Sequence, residues 1–197
     1  MFDSMPALML FALAGAFTPG PNNIMVTASG AAFGFARTVP HIAGVTIGFA
    51  FMVAAFGLGL GAVFQRYPDL HHWVRFIGAA YLLYLAWRIA RAGDPAASPR
   101  AQRPLSFLEA ALFQWVNVKA WTLALGVIAA FTSVGGDLFA ELTIITAVFS
   151  ITTVLSLAAW CLFGVAIREL LASPRSRRAV NYSLAALLAL SVVTLFL

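Results

Sequence analysis

The sequence predicts an all-α integral membrane protein with six transmembrane helices, arranged as two inverted three-helix repeats. Of the 197 residues, 62% are hydrophobic and 10% are charged, with a mean hydropathy of +0.93; soluble domains have about 45–50% apolar and about 25% charged residues. Six apolar segments approach the length of about 20 residues that a transmembrane helix needs. Three of them lie on each side of one long linker. Because three is odd, two similar halves must have opposite orientations in the membrane.

The six predicted helices are separated by short polar connections, except for that linker. The helices are expected at residues 5–33, 39–64, 73–91, 107–131, 137–168 and 179–197. The linker, residues 92–106, is rich in proline, alanine and serine, so we expect it to be flexible. It divides a single domain, residues 1–197, into a first repeat of residues 1–91 and a second repeat of residues 107–197.

Arginine residues are distributed unevenly over the predicted connections. Nine lie on one side of a six-span topology: Arg37, Arg88, Arg91, Arg100, Arg103, Arg168, Arg175, Arg177 and Arg178. Two, Arg66 and Arg75, lie on the other side, and Lys119 is inside a span. Because basic connections stay in the cytoplasm, we predict a cytoplasmic linker and two external termini. A five-span topology, which would divide the arginines between both sides, is the alternative.

The composition also argues against several classes of function. A net charge of +5 in a soluble protein would suggest nucleic acid, but basic connections at a membrane surface account for it here. The one cysteine, Cys161, cannot form an intramolecular disulfide or a CxxC redox pair. The adjacent His71 and His72 make a poor metal site on their own. We therefore expect no nucleic-acid partner, no metal and no cofactor, and a lipid bilayer around the chain.

The first predicted helix is interrupted by Thr18-Pro19-Gly20-Pro21-Asn22-Asn23. Each proline removes a backbone donor and clashes with the preceding turn, and glycine makes a break inexpensive. Irregular backbone at membrane depth is tolerated where it is buried in protein or lines a wet cavity. We predict that a second half-helix begins with Asn22 and Asn23 as capping residues and directs its partial positive charge at a cavity. A plain structural kink is the alternative.

The fourth predicted helix contains a second polar interruption at residues 114–120, with Gln114, Asn117 and Lys119 between apolar stretches. A cation near the centre of a bilayer costs at least about 2.5–3.5 kcal/mol, so it usually faces a cavity or a partner. A lysine that extends to the interface is the alternative. Thr18 and Asn117 lie at comparable positions of the two halves. Paired interruptions of this kind indicate the binding site of a transporter.

These residues also carry a resemblance. Besides the segment from Thr18 to Asn23 and the Asn117-x-Lys119-Ala120 element, the chain contains the stretch Ile77-Gly78-Ala79-Ala80-Tyr81-Leu82, which leads to Trp87-Arg88. In chain order, over essentially the whole chain, the three resemble the LysE/RhtB family of amino-acid exporters. The resemblance implies six hydrophobic segments and export driven by the proton motive force. The stretch around Lys119 is similar to the branch that exports cysteine and O-acetylserine. Small neutral amino acids, including homoserine- or threonine-like ones, are therefore the expected substrates.

The chain departs from the family pattern at one position of this element. The family commonly has Asn-Pro-Lys-Ala there, and Val118 replaces the proline in this chain. The steric cause of a break in the fourth helix is therefore absent.

The predicted site suits a zwitterionic substrate. Its carboxylate is expected to meet Lys119 and the half-helix that begins near Asn22 and Asn23, while its ammonium meets carbonyls freed at Pro19–Pro21. Lys119 is the candidate for proton exchange with the substrate, and His41 is a second one. The alternatives are a membrane enzyme, for which we find no nucleophile–base pair, a scaffold protein, and an exporter of another metabolite. Two Gly-x-x-x-Gly pairs, Gly30/Gly34 and Gly44/Gly48, are expected to pack helices within one subunit, and a homodimer is left open.

Overall fold

The computed structural model describes residues 4–60, 66–92, 103–133, 135–170, 173–193 and 196. Its α-helices within this part are α1 (Met5–Phe17), α2 (Pro21–Phe33), α3 (Phe35–Ala55), α4 (Pro68–Ala90), α5 (Phe107–Phe113), α6 (Val118–Phe131), α7 (Leu138–Leu170) and α8 (Pro174–Leu190). A π-helical turn, Phe56–Leu60, extends α3, and a 3-10 turn, Gln114–Val116, follows α5. The all-helical class is confirmed for the described residues. Residues 93–102, most of the linker, lie outside the described residues, and so does the prediction that the linker is flexible. The side chains of His71 and His72 also lie outside the described part.

A single glycine separates α2 from α3, where the sequence predicted a polar connection at residues 34–38. Gly34 has φ 82°, and its N–H donates to the carbonyl oxygen of Gly30 at 2.9 Å. Only glycine adopts this left-handed conformation without a steric penalty, so α2 ends and α3 begins at the next residue. The prediction was wrong because the polar residues Arg37 and Thr38 belong to the first turn of α3.

The last helix begins five residues before the predicted start. Ser173 caps α8 by accepting a hydrogen bond from the N–H of Ser176 at 3.1 Å, and Pro174 occupies the first helical position, where its missing N–H costs nothing. The basic residues that were assigned to a connection therefore lie in the first two turns of α8.

Two helices in the described part are long and apolar enough to cross a membrane, namely Phe35–Leu60 and Leu138–Arg168. The pair Phe107–Val116 and Val118–Phe131, bent by 71° between its halves, passes the same criteria as a third span if it is counted as one. Large apolar side chains face outward, such as Leu10, which is 70% exposed, and Phe139, which is 73% exposed. These features fit a membrane protein, and the count of six spans stays a prediction.

Close contacts between helices depend on glycines. A Cβ atom at Gly30 or Gly164 would overlap backbone oxygens across the contact between α2 and α7, and Gly44 and Gly48 bring α3 equally close to α5. The prediction that Gly30, Gly44 and Gly48 pack helices within the subunit is confirmed. It was wrong for Gly34, which has no described atom within 4 Å of the position of a Cβ.

The order of elements is the same in both halves of the chain. A helix pair with a break (α1 and α2, then α5 and α6) is followed by a long helix (α3, then α7) and a third helix (α4, then α8). The long helix of each half packs against the first segment of the other half, so that α3 contacts α5 and α7 contacts α1. This exchange brings the two breaks to the same region of the molecule.

Candidate functional site

The first break lies between α1 and α2. The N–H and hydroxyl of Thr18 donate to the carbonyl oxygen of Ala14 at the end of α1. Gly20 is extended, with φ −169° and ψ −179°, and Pro21 is the first residue of α2. The predicted break is thus present, but α2 begins at Pro21, one residue before the predicted start at Asn22. Asn22 and Asn23 lie within the first turn of α2 and do not cap it, because proline favours the first helical position and the residue before a proline favours an extended backbone.

The second break lies between α5 and α6, and it forms without a proline. The 3-10 turn Gln114–Val116 ends at Asn117, which has φ −92° and ψ 99° and begins α6. Side chains satisfy the backbone oxygens that the break releases. The indole N–H of Trp121 donates to the carbonyl oxygen of Trp115 at 3.1 Å, and the amide of Gln114 donates to that of Ala110 at 2.9 Å. The steric cause that a proline would supply is absent at Val118, as the sequence indicates, and the break is present without it.

The two breaks meet at one cavity. Its lining comes from α1, α2, α3, α6 and α7: Gly15, Ala16, Asn22, Asn23, Val45, Phe49, Asn117, Lys119, Ala120, Leu123, Phe149, Thr153, Ser156 and Leu157. The ammonium group of Lys119 reaches across and donates to the carbonyl oxygen of Thr18. Gly20 makes room for this side chain, because a Cβ atom there would lie 2.7 Å from Lys119 Cδ. A residue of the second half thus binds the broken backbone of the first.

Two asparagines of α2 hold the halves together at this point. Asn22 Nδ2 donates to Gln114 Oε1 at 2.8 Å, and Gln114 Nε2 donates back to Asn22 Oδ1 at 3.2 Å. Asn23 Nδ2 donates to the carbonyl oxygen of Ala16 at 3.0 Å, and the hydroxyl of Ser156 donates to the same oxygen at 2.8 Å. These bonds orient the first turn of α2 against α1, α5 and α7.

The eight residues predicted for the site contribute in different ways. Asn22, Asn23, Asn117 and Lys119 line the cavity. Gly20 and Pro21 are buried at the break, whereas Thr18 and Pro19 are exposed, and Thr18 takes part through its carbonyl oxygen. Asn117 is 3% exposed, and its side chain has no hydrogen-bond partner among the described residues. Its amide is therefore free to bind a ligand.

The comparisons with known proteins identify the family. The family model described as LysE type translocator matches residues 13–197. The chain belongs to this family. Cysteine/O-acetylserine efflux proteins are similar to it: that of Salmonella typhimurium is 37% identical over 118 residues, that of Klebsiella pneumoniae 36% over 116, and that of Escherichia coli K12 35% over 117.

These relatives match over part of their length. The alignments cover 58%, 57% and 58% of this chain, and the same shares of the three relatives in turn. No solved structure matches the chain. The matched family and the relatives are transporters by description, and not enzymes.

The cavity of this chain has groups of partial positive and of partial negative charge close to each other. The N-terminal ends of α2 and α6 both reach the cavity, through Asn22 and Asn117. Each carries a partial positive charge, which adds to that of Lys119. The carbonyl oxygens of Ala16 and Thr18, at the end of α1, supply partial negative charge beside these groups.

Sequence reasoning missed the part of the lining that comes from the long helices. Ser156, Thr153 and Phe149 of α7 and Phe49 of α3 all line the cavity. Serine and threonine are common in apolar helices because they bond to carbonyls of their own helix, so Ser156 carried no distinct signal. Its position beside Asn23 depends on the packing of α7 against α1 and α2.

Proposed function

We propose that this LysE family chain is a secondary transporter that exports small amino acids or their derivatives across the bacterial inner membrane. The observation that carries the proposal is the cavity in which the ammonium group of Lys119, from one half, meets the broken helix of the other half. Charged groups inside an apolar protein usually mark a substrate pathway. The ends of two broken helices at one site are typical of secondary transporters.

We infer that cysteine and O-acetylserine are the best first substrates to test. The three relatives are named for efflux of these compounds. The described lining holds no carboxylate, so the cavity suits a neutral zwitterion better than a substrate with a second cationic group.

In the proposed binding mode, the substrate's carboxylate binds Lys119 and the first turn of α2. An ammonium–carboxylate hydrogen bond is stronger than one to a neutral carbonyl. Lys119 therefore leaves the carbonyl oxygen of Thr18, and the substrate's ammonium replaces it there. Exchange of one ammonium group for another keeps this oxygen paired in both states. The Asn117 amide completes the binding of the carboxylate.

The remaining proposals concern the whole transporter. We propose one domain of six spans in two inverted repeats, with both termini outside the cytoplasm and the proton motive force as the energy source. The shared order of elements and the exchanged contacts of α3 and α7 support the repeat. Lys119 is the candidate for proton exchange during transport, and a homodimer remains compatible with the function.

Efflux of labelled O-acetylserine and cysteine from cells that express the protein tests the proposed function. We expect selective export by the wild type and a fall to background in Lys119→Ala, because the carboxylate loses its cationic partner. Arg175→Ala, which removes an exposed cation from α8, is the matched control and should export normally. Normal export by Lys119→Ala would refute the proposed site. No export of either compound, with wild-type protein shown in the membrane, would refute the proposed substrates.

A further inference from the structure

A second cavity lies between α2, α3, α4 and the segment that precedes α5. Most of its wall is apolar, from residues such as Met25, Phe33, Leu85 and Leu105, and its polar groups are Ser29, His41, Arg88 and Arg103. An apolar wall with a few polar groups on one side is the usual composition of a small-molecule site.

His41 is the strongest sign that this cavity binds a ligand. Its side chain is completely buried, and its Nδ1 lies 3.2 Å from the hydroxyl oxygen of Ser29. Its Nε2 atom is buried with no hydrogen-bond partner among the residues that the structure describes. A buried polar atom without a partner is costly, and such atoms in native proteins call for a bound group. His41 is one of the residues that line the cavity.

Two arginines make the wall electropositive. Arg88, 5% exposed, lies 3.5 Å from Glu109 Oε1 through its Nη1. Arg103 binds the same carboxylate twice, at 2.6 Å and 3.1 Å. This bond raises the pKa of Arg103, so the guanidinium stays charged. Two guanidinium groups therefore lie at this wall, a surrounding that favours an anionic group of a ligand.

Glu109 is already engaged within the protein. Its Oε2 accepts a hydrogen bond from the N–H of Ser106 at 2.7 Å, and the two residues form the capping box of α5. No acidic residue is among the described residues that line the cavity. The described lining therefore has two guanidinium groups for a carboxylate and no carboxylate for an ammonium group.

The second cavity continues the central one along the same helices. Met25 lies one helical turn after Asn22 on α2, and His41 lies one turn before Val45 on α3. One turn rises about 5.4 Å, so the two linings are adjacent. The second cavity contains Arg88 and Arg103, which belong to the side that is rich in arginine and predicted to be cytoplasmic.

We propose that this cavity, on the arginine-rich side of the protein, is a second binding site that holds small monocarboxylates, among them the carboxylate of the transported amino acid before it reaches the central cavity. This inference rests on the proposed function for the identity of the natural ligand. The second site differs from the central site in one testable property, since the second site requires the carboxylate of a ligand but not its ammonium group.

Equilibrium binding of labelled butyrate to the protein in phosphatidylcholine nanodiscs tests this site. Butyrate has the carboxylate and a short apolar chain but no ammonium. We expect saturable binding to the wild type and to Lys119→Met, which removes the cation of the central cavity. Arg103→Gln and His41→Phe should each weaken binding by about tenfold or more, the loss of one charge-assisted hydrogen bond. Arg175→Gln, on the exposed start of α8, is the matched control and should bind normally.

The competing outcomes are distinguishable. Absence of saturable butyrate binding to the wild type, or unchanged affinity in both Arg103→Gln and His41→Phe, would overturn the site. Displacement of butyrate by inorganic phosphate at equal concentration would overturn the carboxylate class. If Arg103→Gln does not fold, His41→Phe decides the test. Amino-acid export without butyrate binding would refute this site alone, whereas butyrate binding without amino-acid export would refute the proposed function and leave the site.

Discussion

The side-chain amides of Asn22 and Gln114 hydrogen-bond to each other across the two halves of the chain, at 2.8 Å and 3.2 Å. Gln114 has no exposed surface, and its amide donates a second bond to its own helix at Ala110. A buried amide that loses its partner suffers the full cost of desolvation. The pair therefore stabilises the position of the first turn of α2 relative to α5, and with it the geometry of the central cavity.

A double-mutant cycle measures this interaction. Asn22→Ala should lower the free energy of unfolding by about 1–3 kcal/mol, since it leaves the Gln114 amide unsatisfied. The coupling with Gln114→Ala should be about 1 kcal/mol, as for other hydrogen bonds between membrane helices. The measurement is reversible unfolding in detergent. Thr122→Ala removes a hydroxyl that bonds to its own helix and should show no coupling with Asn22→Ala. Additive effects of Asn22→Ala and Gln114→Ala would show that the amides act independently.

At the scale of elements, the backbone at the break before α6 already has the conformation that a proline at position 118 would require. Asn117 is already extended, with φ −92° and ψ 99°, which is the backbone that a residue before proline prefers. Val118 is the first helical residue of α6, where a missing N–H breaks no helical hydrogen bond. The tertiary contacts of Gln114 and Trp121 thus produce the same break that proline produces by steric exclusion.

Val118→Pro tests this explanation. The variant should keep its export activity and change the free energy of unfolding by no more than about 1 kcal/mol, because the native backbone accommodates proline. Leu125→Pro, in the middle of α6, should lose about 3 kcal/mol or more. Thermal unfolding of the purified variants and efflux from cells provide the two readouts. Strong destabilisation by Val118→Pro would show that residues 117 and 118 are not in the described conformation.

The contact between α2 and α7 depends on the absence of a side chain at Gly164. A Cβ atom there would overlap the carbonyl oxygen of Thr27. The hydroxyl of Thr27 also donates to the carbonyl oxygen of Trp160 at 3.1 Å, so the two backbones are held close together. Since backbone atoms cannot rotate away as a side chain can, the helices must separate to admit a methyl group.

Gly164→Ala should therefore destabilise the protein by about 1–3 kcal/mol, the usual cost of overpacking. Gly126→Ala is the matched control, because its Cβ would meet only Phe11 Cζ at 3.5 Å, an ordinary contact; alanine there should be neutral or slightly stabilising. Thermal unfolding in the same detergent compares the two. Equal stability of both variants would contradict the close approach of α2 and α7.

At the scale of the whole molecule, the arginine-rich side and the repeat predict one orientation in the membrane. Nine arginines on one side against two on the other favour a cytoplasmic linker. The long helices α3 and α7 each pack against the first segment of the opposite half. The inverted repeat that we propose would relate α1 to α5 and α3 to α7 by one operation.

Reporter fusions test this orientation. Alkaline phosphatase fused after the C-terminus should be active and a green fluorescent protein there should be dark, since both report an external position. The same reporters inserted in the linker, residues 92–106, should give the opposite result. A fluorescent C-terminal fusion would refute the six-span topology and favour five spans.

The sequence by itself determined the all-helical membrane class and the location of the first break. Both depend on local properties: apolar composition decides that the chain lies in lipid, and a Pro-Gly-Pro segment cannot remain helical in any surroundings. The residues around it, together with the element at Asn117 and Lys119, also identified the family that residues 13–197 match. Lys119 was predictable because a charge within an apolar span needs a specific environment.

Tertiary structure decided what depends on residues far apart in the chain. The break at Asn117 occurs without proline because Trp121 and Gln114 satisfy the released carbonyls. Ser156 joins the cavity, and His41 reaches a second one, through packing that no local pattern encodes. Backbone sterics and hydropathy act within a few residues, so a sequence exposes them. The pairing of polar groups across helices is settled only when the helices pack.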